Sequence, residues 1–147
     1  MRLLLLTSAL VLAGVDLTTK AAAQRLLSSG RVVELGPLDL RLVYNPGTAF
    51  SLGATLPAPL IVTVVAVIVV GVALFAWRVA PHAAWLMVLG LASILGGAVG
   101  NLIDRLDDRV VTDYLSSSWW PTFNLADVFI TVGAVAVLIS TFRTPRG

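Results

Sequence analysis

The chain of 147 residues has no cysteine, a single histidine, and only 12% charged side chains, with ten Lys or Arg against eight Asp or Glu. Each shortage removes a class of chemistry. Without cysteine there are no disulfide staples, no thiolate nucleophile and no thiolate metal ligand. A catalytic zinc ion usually takes three protein ligands, and neither an H-E-x-x-H run nor a second histidine is present to join His82. A serine hydrolase of the G-x-S-x-G kind lacks its nucleophile turn. The net charge of +2 is small and dispersed, which excludes nucleic acid as a partner. The chemistry left is that of carboxylates, which needs no cofactor and no metal.

What the chain has in excess is apolar surface. It is 58% hydrophobic with a mean hydropathy of +0.95, more than a water-soluble domain of this size can bury. Runs over 58–77, 83–103 and 125–142 can each cross a hydrocarbon core of about 30 Å, which takes roughly 20 helical residues. A fourth run, 3–15, continues through Asp16, Lys20 and Gln24, polar on one face. Arg2, the short apolar stretch and Ala21-Ala22-Ala23 also fit a cleaved leader. Against that, Asp16 and Lys20 stand four apart on one helical face, where they can pair and let a spanning helix tolerate both charges. The expectation is a membrane all-α fold: one domain over 1–147, a four-helix transmembrane bundle with helices over about 3–27, 58–77, 83–105 and 124–142.

With the N-terminus inside, the inner pieces carry Arg2, Arg78, Arg143 and Arg146 and no acid. The longer outer loops hold Arg25, Arg31, Arg41, Arg105 and Arg109 at lower density, so the positive-inside rule favours both termini in the cytoplasm. At about 1.5 Å per residue, Asp16 then lies roughly 20 Å above Leu3. Asn101, Asp104, Arg105, Asn124 and Asp127 come to the same outer leaflet. The segment over about 28–55 is too polar to span. Val32 to Leu35, a Gly36-Pro37 break, and the alternating Leu38-Asp39-Leu40-Arg41-Leu42 read as a small extracytoplasmic hairpin or sheet between helices 1 and 2, with Asn45-Pro46-Gly47 as a turn.

Charged groups at the membrane cost roughly 2.5 to 3.5 kcal/mol each on insertion scales, so acids kept there usually carry a task. Asp113 and Asp127, fourteen positions apart, are the foremost pair. Asp113 sits in the strand-like Val110 to Leu115, where alternation places it on an apolar face with Val111 and Leu115. Asn124-Leu125-Ala126-Asp127 has the form of a helix start, with Asn124 as N-cap and Asp127 complementing the dipole, a position that also favours an ionised base. In the third span Ser93, Gly97, Asn101 and Arg105 follow at intervals of four. Gly96, Gly97 and Gly100 are expected to serve close helix packing. Asp104 and Arg105 fit either a solvated helix end or an orienting network beneath the site. Asp107, Asp108, Arg109 and His82 read as surface residues, and Trp119 and Trp120 as interfacial anchors.

Five segments in order, Asp16-Leu17-Thr18-Thr19-Lys20, Asn45-Pro46-Gly47-Thr48-Ala49-Phe50-Ser51, Gly96 to Arg105, Val111-Thr112-Asp113-Tyr114 and Phe123-Asn124-Leu125-Ala126-Asp127, resemble the lipoprotein signal peptidases, the type II bacterial signal peptidases. The resemblance implies an intramembrane aspartic endopeptidase with Asp113 and Asp127 as catalytic aspartates. It places Asp16, Lys20, Asn45, Gly47, Asn101, Asp104, Arg105, Asn124 and Ala126 on the family's other motif positions. It further implies a lipid-modified prolipoprotein as substrate, cut before the diacylglyceryl cysteine, and a bacterial cytoplasmic membrane setting among membrane lipid. Thr48 and Tyr114 depart from the family's usual residues there. Two carboxylates side by side should share one proton near neutral pH, the ionised member activating water and the protonated one donating to the oxyanion and the leaving amine. Asp127 is expected to be the more readily ionised. The alternatives are an ion or proton carrier using Asp16, Lys20 and Asp127, and a non-catalytic assembly subunit. The four-span design is compatible with a monomer.

Overall fold

In the computed structural model, residues 1–46 and 57–143 are described. Gly47 and the remainder of its motif through Ser51, and Arg146 in the tail, lie outside the described residues. The order is α1 (Arg2–Leu27), β1 (Val33–Glu34), β2 (Asp39–Asn45), α2 (Ala58–Val79), α3 (Trp85–Asp108), β3 (Val111–Ser116) and α4 (Leu125–Arg143). All four helices are long and apolar enough to cross a membrane. The expected spans are recovered to within a few residues at each end.

α3 is the hub, packing against α1, α2 and α4. Its small residues explain why. A Cβ added at Gly96 would come 2.8 Å from the Ala9 carbonyl oxygen of α1, and one at Gly90 would come 2.9 Å from the Gly133 carbonyl oxygen of α4. Backbones this close gain dispersion contacts that larger side chains would forbid, which matters in lipid, where the hydrophobic effect does not drive helices together. Ser93 adds a hydrogen bond from its Oγ to the Phe129 carbonyl at 2.7 Å. α2 buries only Val69 and Ala76 within the protein, and its exposed Val64, Val67, Ile68, Val70, Leu74 and Phe75 suit lipid. α1 is a constituent of the bundle, with Leu5, Ala9, Ala13, Asp16, Lys20, Ala23 and Leu27 buried at steps of three and four.

The C-terminal end of α1, the end of α3 and the start of α4 meet at one end of the bundle, capped by an antiparallel sheet of order β1-β2-β3. Gly36, at φ 94°, takes the left-handed conformation between β1 and β2. The expected small sheet forms, with two features beyond a simple hairpin. It gains a third strand from the segment between α3 and α4, and β2 does not alternate throughout. Leu40 pairs with Leu115, but Val43 pairs with Asp113, so one extra residue of β2 is accommodated around Arg41 and Leu42. That irregularity reverses which face the rest of β2 presents.

Candidate active site

β3 carries different chemistry on its two faces. Val111 and Asp113 point to a cleft of about 300 Å³ at the mouth of the bundle, which is also lined by Asn45, Asn101, Arg105 and Asp127. Thr112 and Tyr114 point the other way, toward α1. There Gln24 Nε2 donates to Thr112 Oγ1 at 3.0 Å, and the Tyr114 hydroxyl donates to Thr19 Oγ1 at 2.9 Å. All four residues Val111 to Tyr114 are buried, so Asp113 is fixed from both sides.

The β2 irregularity brings Asn45 onto this site. Asn45 pairs with Val111, which shares a face with Asp113, so its amide lies diagonally across from the carboxylate. Asn45 Nδ2 donates to Asp113 Oδ2 at 3.0 Å. In an unbroken register Asn45 would face the opposite side of the sheet.

Asn124 joins the two acids. Its Nδ2 donates to Asp113 Oδ1 at 2.7 Å and its backbone N–H to Asp127 Oδ2 at 3.2 Å. Its own Oδ1 accepts from the Asp127 N–H at 3.1 Å, completing a reciprocal helix cap. Asp127 also accepts from Asn101 Nδ2 at 2.9 Å. The two carboxylates therefore line one cleft and are held by a common asparagine.

Beneath them lies a buried ionic cluster. Lys20 Nζ, 2% exposed as a residue, donates to Asn101 Oδ1 at 2.7 Å and lies 2.9 Å from Asp16 Oδ2 and 3.3 Å from Asp104 Oδ2. Its positive charge thus reaches Asp127 through the Asn101 amide. The other Asp16 oxygen, Oδ1, accepts the backbone N–H of Ala126 at 2.8 Å. Asp104 accepts the Thr112 N–H at 2.6 Å, so it belongs to the network and not to the solvated helix end. Asp107, Asp108, Arg109 and His82 are exposed, as expected. Arg105 lines the cleft, and its buried Nε has no hydrogen-bond partner among the described residues.

Burial pushes the Asp113 carboxyl up from 3.8 to about 6, despite the hydrogen bonds from Asn45 and Asn124 that favour its charged form; the negative charge of Asp127 adds to the rise. A group of this kind holds a proton in mildly acidic conditions and yields it near neutrality. Among the described residues no three His, Asp or Glu side chains gather to hold a metal.

Several site residues escape a reading of the sequence. Trp120, taken for an interfacial anchor, lines the cleft together with Phe123 and Thr131, while Trp119 remains mostly exposed. Gln24 belongs to the polar face read from the sequence with Asp16 and Lys20, but its contact with Thr112 has no local signal. Thr112 carries none either.

A four-span bundle with a carboxylate-lined cleft at one end is an arrangement that a membrane-embedded aspartic peptidase needs. The profile of the signal peptidase (SPase) II family matches residues 8–143, and the chain belongs to that family. Among its relatives, the lipoprotein signal peptidase of Pelotomaculum thermopropionicum is 42% identical over 82% of this chain and 79% of its own length. That of Rhodococcus jostii is 40% identical over 95% and 73%, and that of Bartonella tribocorum 35% identical over 97% and 88%. A bacterial membrane enzyme solved by the in meso method at 1.9 Å resolution has the same fold, with a TM-score of 0.81, 22% identity, and coverage of 96% of this chain and 94% of that one.

Proposed function

We propose that this chain cleaves signal peptides from diacylglyceryl-modified prolipoproteins, with Asp113 and Asp127 acting on the peptide bond before the lipidated cysteine. The observation that carries the reading is the shared cleft in which Asn124 holds both carboxylates. Asp127 receives the Asn124 N–H and the Lys20-backed Asn101 amide, which supports it as the ionised base. Asp113, with its raised carboxyl, is the proton donor.

Water placed between them loses a proton to Asp127 as its oxygen attacks the carbonyl carbon. Asp113 donates its proton to the developing oxyanion; as the carbon–nitrogen bond breaks, the leaving amine takes the proton that Asp127 removed from water, and a hydroxyl of the collapsing diol returns a proton to Asp113. Arg105, on the same cleft, offers donors to substrate carbonyls. Asn45, Asn101, Asn124 and Ala126 position the dyad, while Asp16, Lys20 and Asp104 brace it.

The reading places both termini in the cytoplasm and the cleft at the outer leaflet of the bacterial cytoplasmic membrane, where a lipidated cysteine is presented. A carrier would need ionisable groups at several depths. Here the buried charged side chains Asp16, Lys20 and Asp113 all lie toward one end, which favours a one-sided site.

The test is cleavage of a lipidated precursor peptide by the purified chain. Asp113→Asn and Asp127→Asn should each abolish product while retaining a normal thermal melt, and Arg109→Ala should cleave normally. Turnover by either aspartate variant would overturn the assignment.

A further inference from the structure

The far side of β3 from the cleft carries a second feature. Behind Tyr114 lies a cavity of about 400 Å³ between the end of α1 and the sheet, walled by Ala22, Leu26, Val33 and Leu40, with Arg31 at its rim. A second groove runs along the outward face of α1 past Leu17, Thr18 and Ala21 to Arg25. The two share Ala22 and Leu26, so they are neighbouring grooves that meet at one ridge, each with an arginine in its lining.

The arginines stand at a definite depth. Arg2 and Arg25 are twenty-three positions apart on one helix, roughly 35 Å at 1.5 Å per residue. They therefore bracket a hydrocarbon core of about 30 Å, which sets Arg25 at headgroup level with the grooves beside it. Both Arg25 and Arg31 are exposed, and neither forms an ion pair among the described residues. Leu26, on the ridge, is 65% exposed within the protein.

We propose that this surface is a binding site for a two-chain anionic phospholipid. One acyl chain lies in each groove across the Leu26 ridge, and the headgroup phosphate is held between Arg25 and Arg31. Guanidinium groups suit phosphate because their forked donors match its oxygens, and a low-dielectric surround strengthens the pairing. A zwitterionic lipid supplies the same chains but brings its own cation against the arginines. The site is separate from the cleft, since Tyr114 and Asp113 face opposite sides of the sheet, and it does not depend on the peptidase assignment.

Native mass spectrometry of the full chain in mild detergent tests the proposal, with phosphatidylglycerol and phosphatidylcholine of matched chains offered at equal concentration. The wild type should retain the anionic lipid at least about tenfold over the zwitterionic one, and over single-chain lysophosphatidylglycerol. R25Q/R31Q should bring the two diacyl lipids near parity, while R109Q, an exposed arginine at the same end of the bundle, keeps the preference. Equal retention in the wild type, an unchanged preference in R25Q/R31Q, or an equal loss in R109Q would overturn it. Displacement of the lipid by millimolar inorganic phosphate would reveal a simple anion site and overturn the two-chain occupant.

Discussion

Asp16 Oδ1 accepts the backbone N–H of Ala126 at 2.8 Å, so a carboxylate in α1 fixes the first turn of α4, the turn that carries Asp127. The N–H groups of a helix's first turn have no partner within the helix, and here a side chain 110 positions away supplies one. Asp16→Ala removes that acceptor and should lower kcat by about a hundredfold, the scale of a displacement near 1 Å at the reacting groups. Asp16→Asn keeps an oxygen for Ala126 and should retain more activity. Equal kcat losses in the two variants would contradict a positioning role.

Lys20 serves two carboxylates at once, so its removal is more damaging than that of either acid. Lys20→Met leaves the buried Asp16 and the partly buried Asp104 without a counter-charge and should cost about 3 to 5 kcal/mol of stability. Adding Asp16→Asn to Lys20→Met removes one of the stranded charges and should restore part of the loss, a coupling that a double-mutant cycle of thermal melts reads directly.

The Asp113 carboxyl gives a pH dependence of definite sign. Its folded value of about 6 exceeds the ordinary 3.8, so the stabilisation contributed by the neutral form is complete below 3.8 and lost as pH rises through 6. In the proposed mechanism Asp113 donates this proton, so kcat/KM should fall as pH rises through that value. Infrared spectroscopy should show a protonated-carboxyl band that disappears near pH 6 and is missing in Asp113→Asn. Asn45→Ala, by removing a donor to the charged form, should move the band's midpoint upward.

The spans and the Asp16–Lys20 pair were legible in the sequence because each obeys a short-range period, whereas Asp113 and Asp127 stood out as acids in an apolar setting and by resemblance, with no period to say that they share a cleft. Apolar runs of bilayer length mark helices, and spacing by four marks one helical face. The Asn124 cap was legible for the same reason, as its partner lies three residues on. Contacts set by long-range pairing were not. Nothing local says that Thr112 will meet Gln24 and Asp104, or that Trp120 will line the cleft. Asp104 and Asp107 look alike in sequence, and only the approach of Lys20 and Thr112 separates the braced acid from the solvated one.

Two glycines in spanning helices should respond oppositely to bulk. A Cβ at Gly14 meets nothing within 4 Å, whereas one at Gly97 comes within 2.9 Å of the Ile130 side chain and also meets the Ala126 carbonyl. Gly14→Ala should be neutral or stabilise by up to about 1 kcal/mol through helix propensity. Gly97→Ala should push the start of α4 away from α3, lowering both melting temperature and kcat. If both melt alike, close packing at Gly97 does not position the site.

The irregularity in β2 yields the sharpest prediction, because the side-chain period of a strand is two and one residue decides which face Asn45 occupies. Leu40 opposite Leu115 and Val43 opposite Asp113 differ by one residue in register, and absorbing that extra residue turns Asn45 toward the carboxylate. Deleting Arg41 should remove the extra residue and give an unbroken ladder in which Val43 still faces Asp113 and Asn45 still faces Val111. The deletion variant should therefore keep Asn45 on the carboxylate and leave the Asp113 infrared midpoint at its wild-type value. Adding Asn45→Ala to the deletion should raise the midpoint as much as it does in the full-length chain. A deletion variant that folds but already shows the Asn45→Ala midpoint would show that pairing with Val111 does not aim the amide.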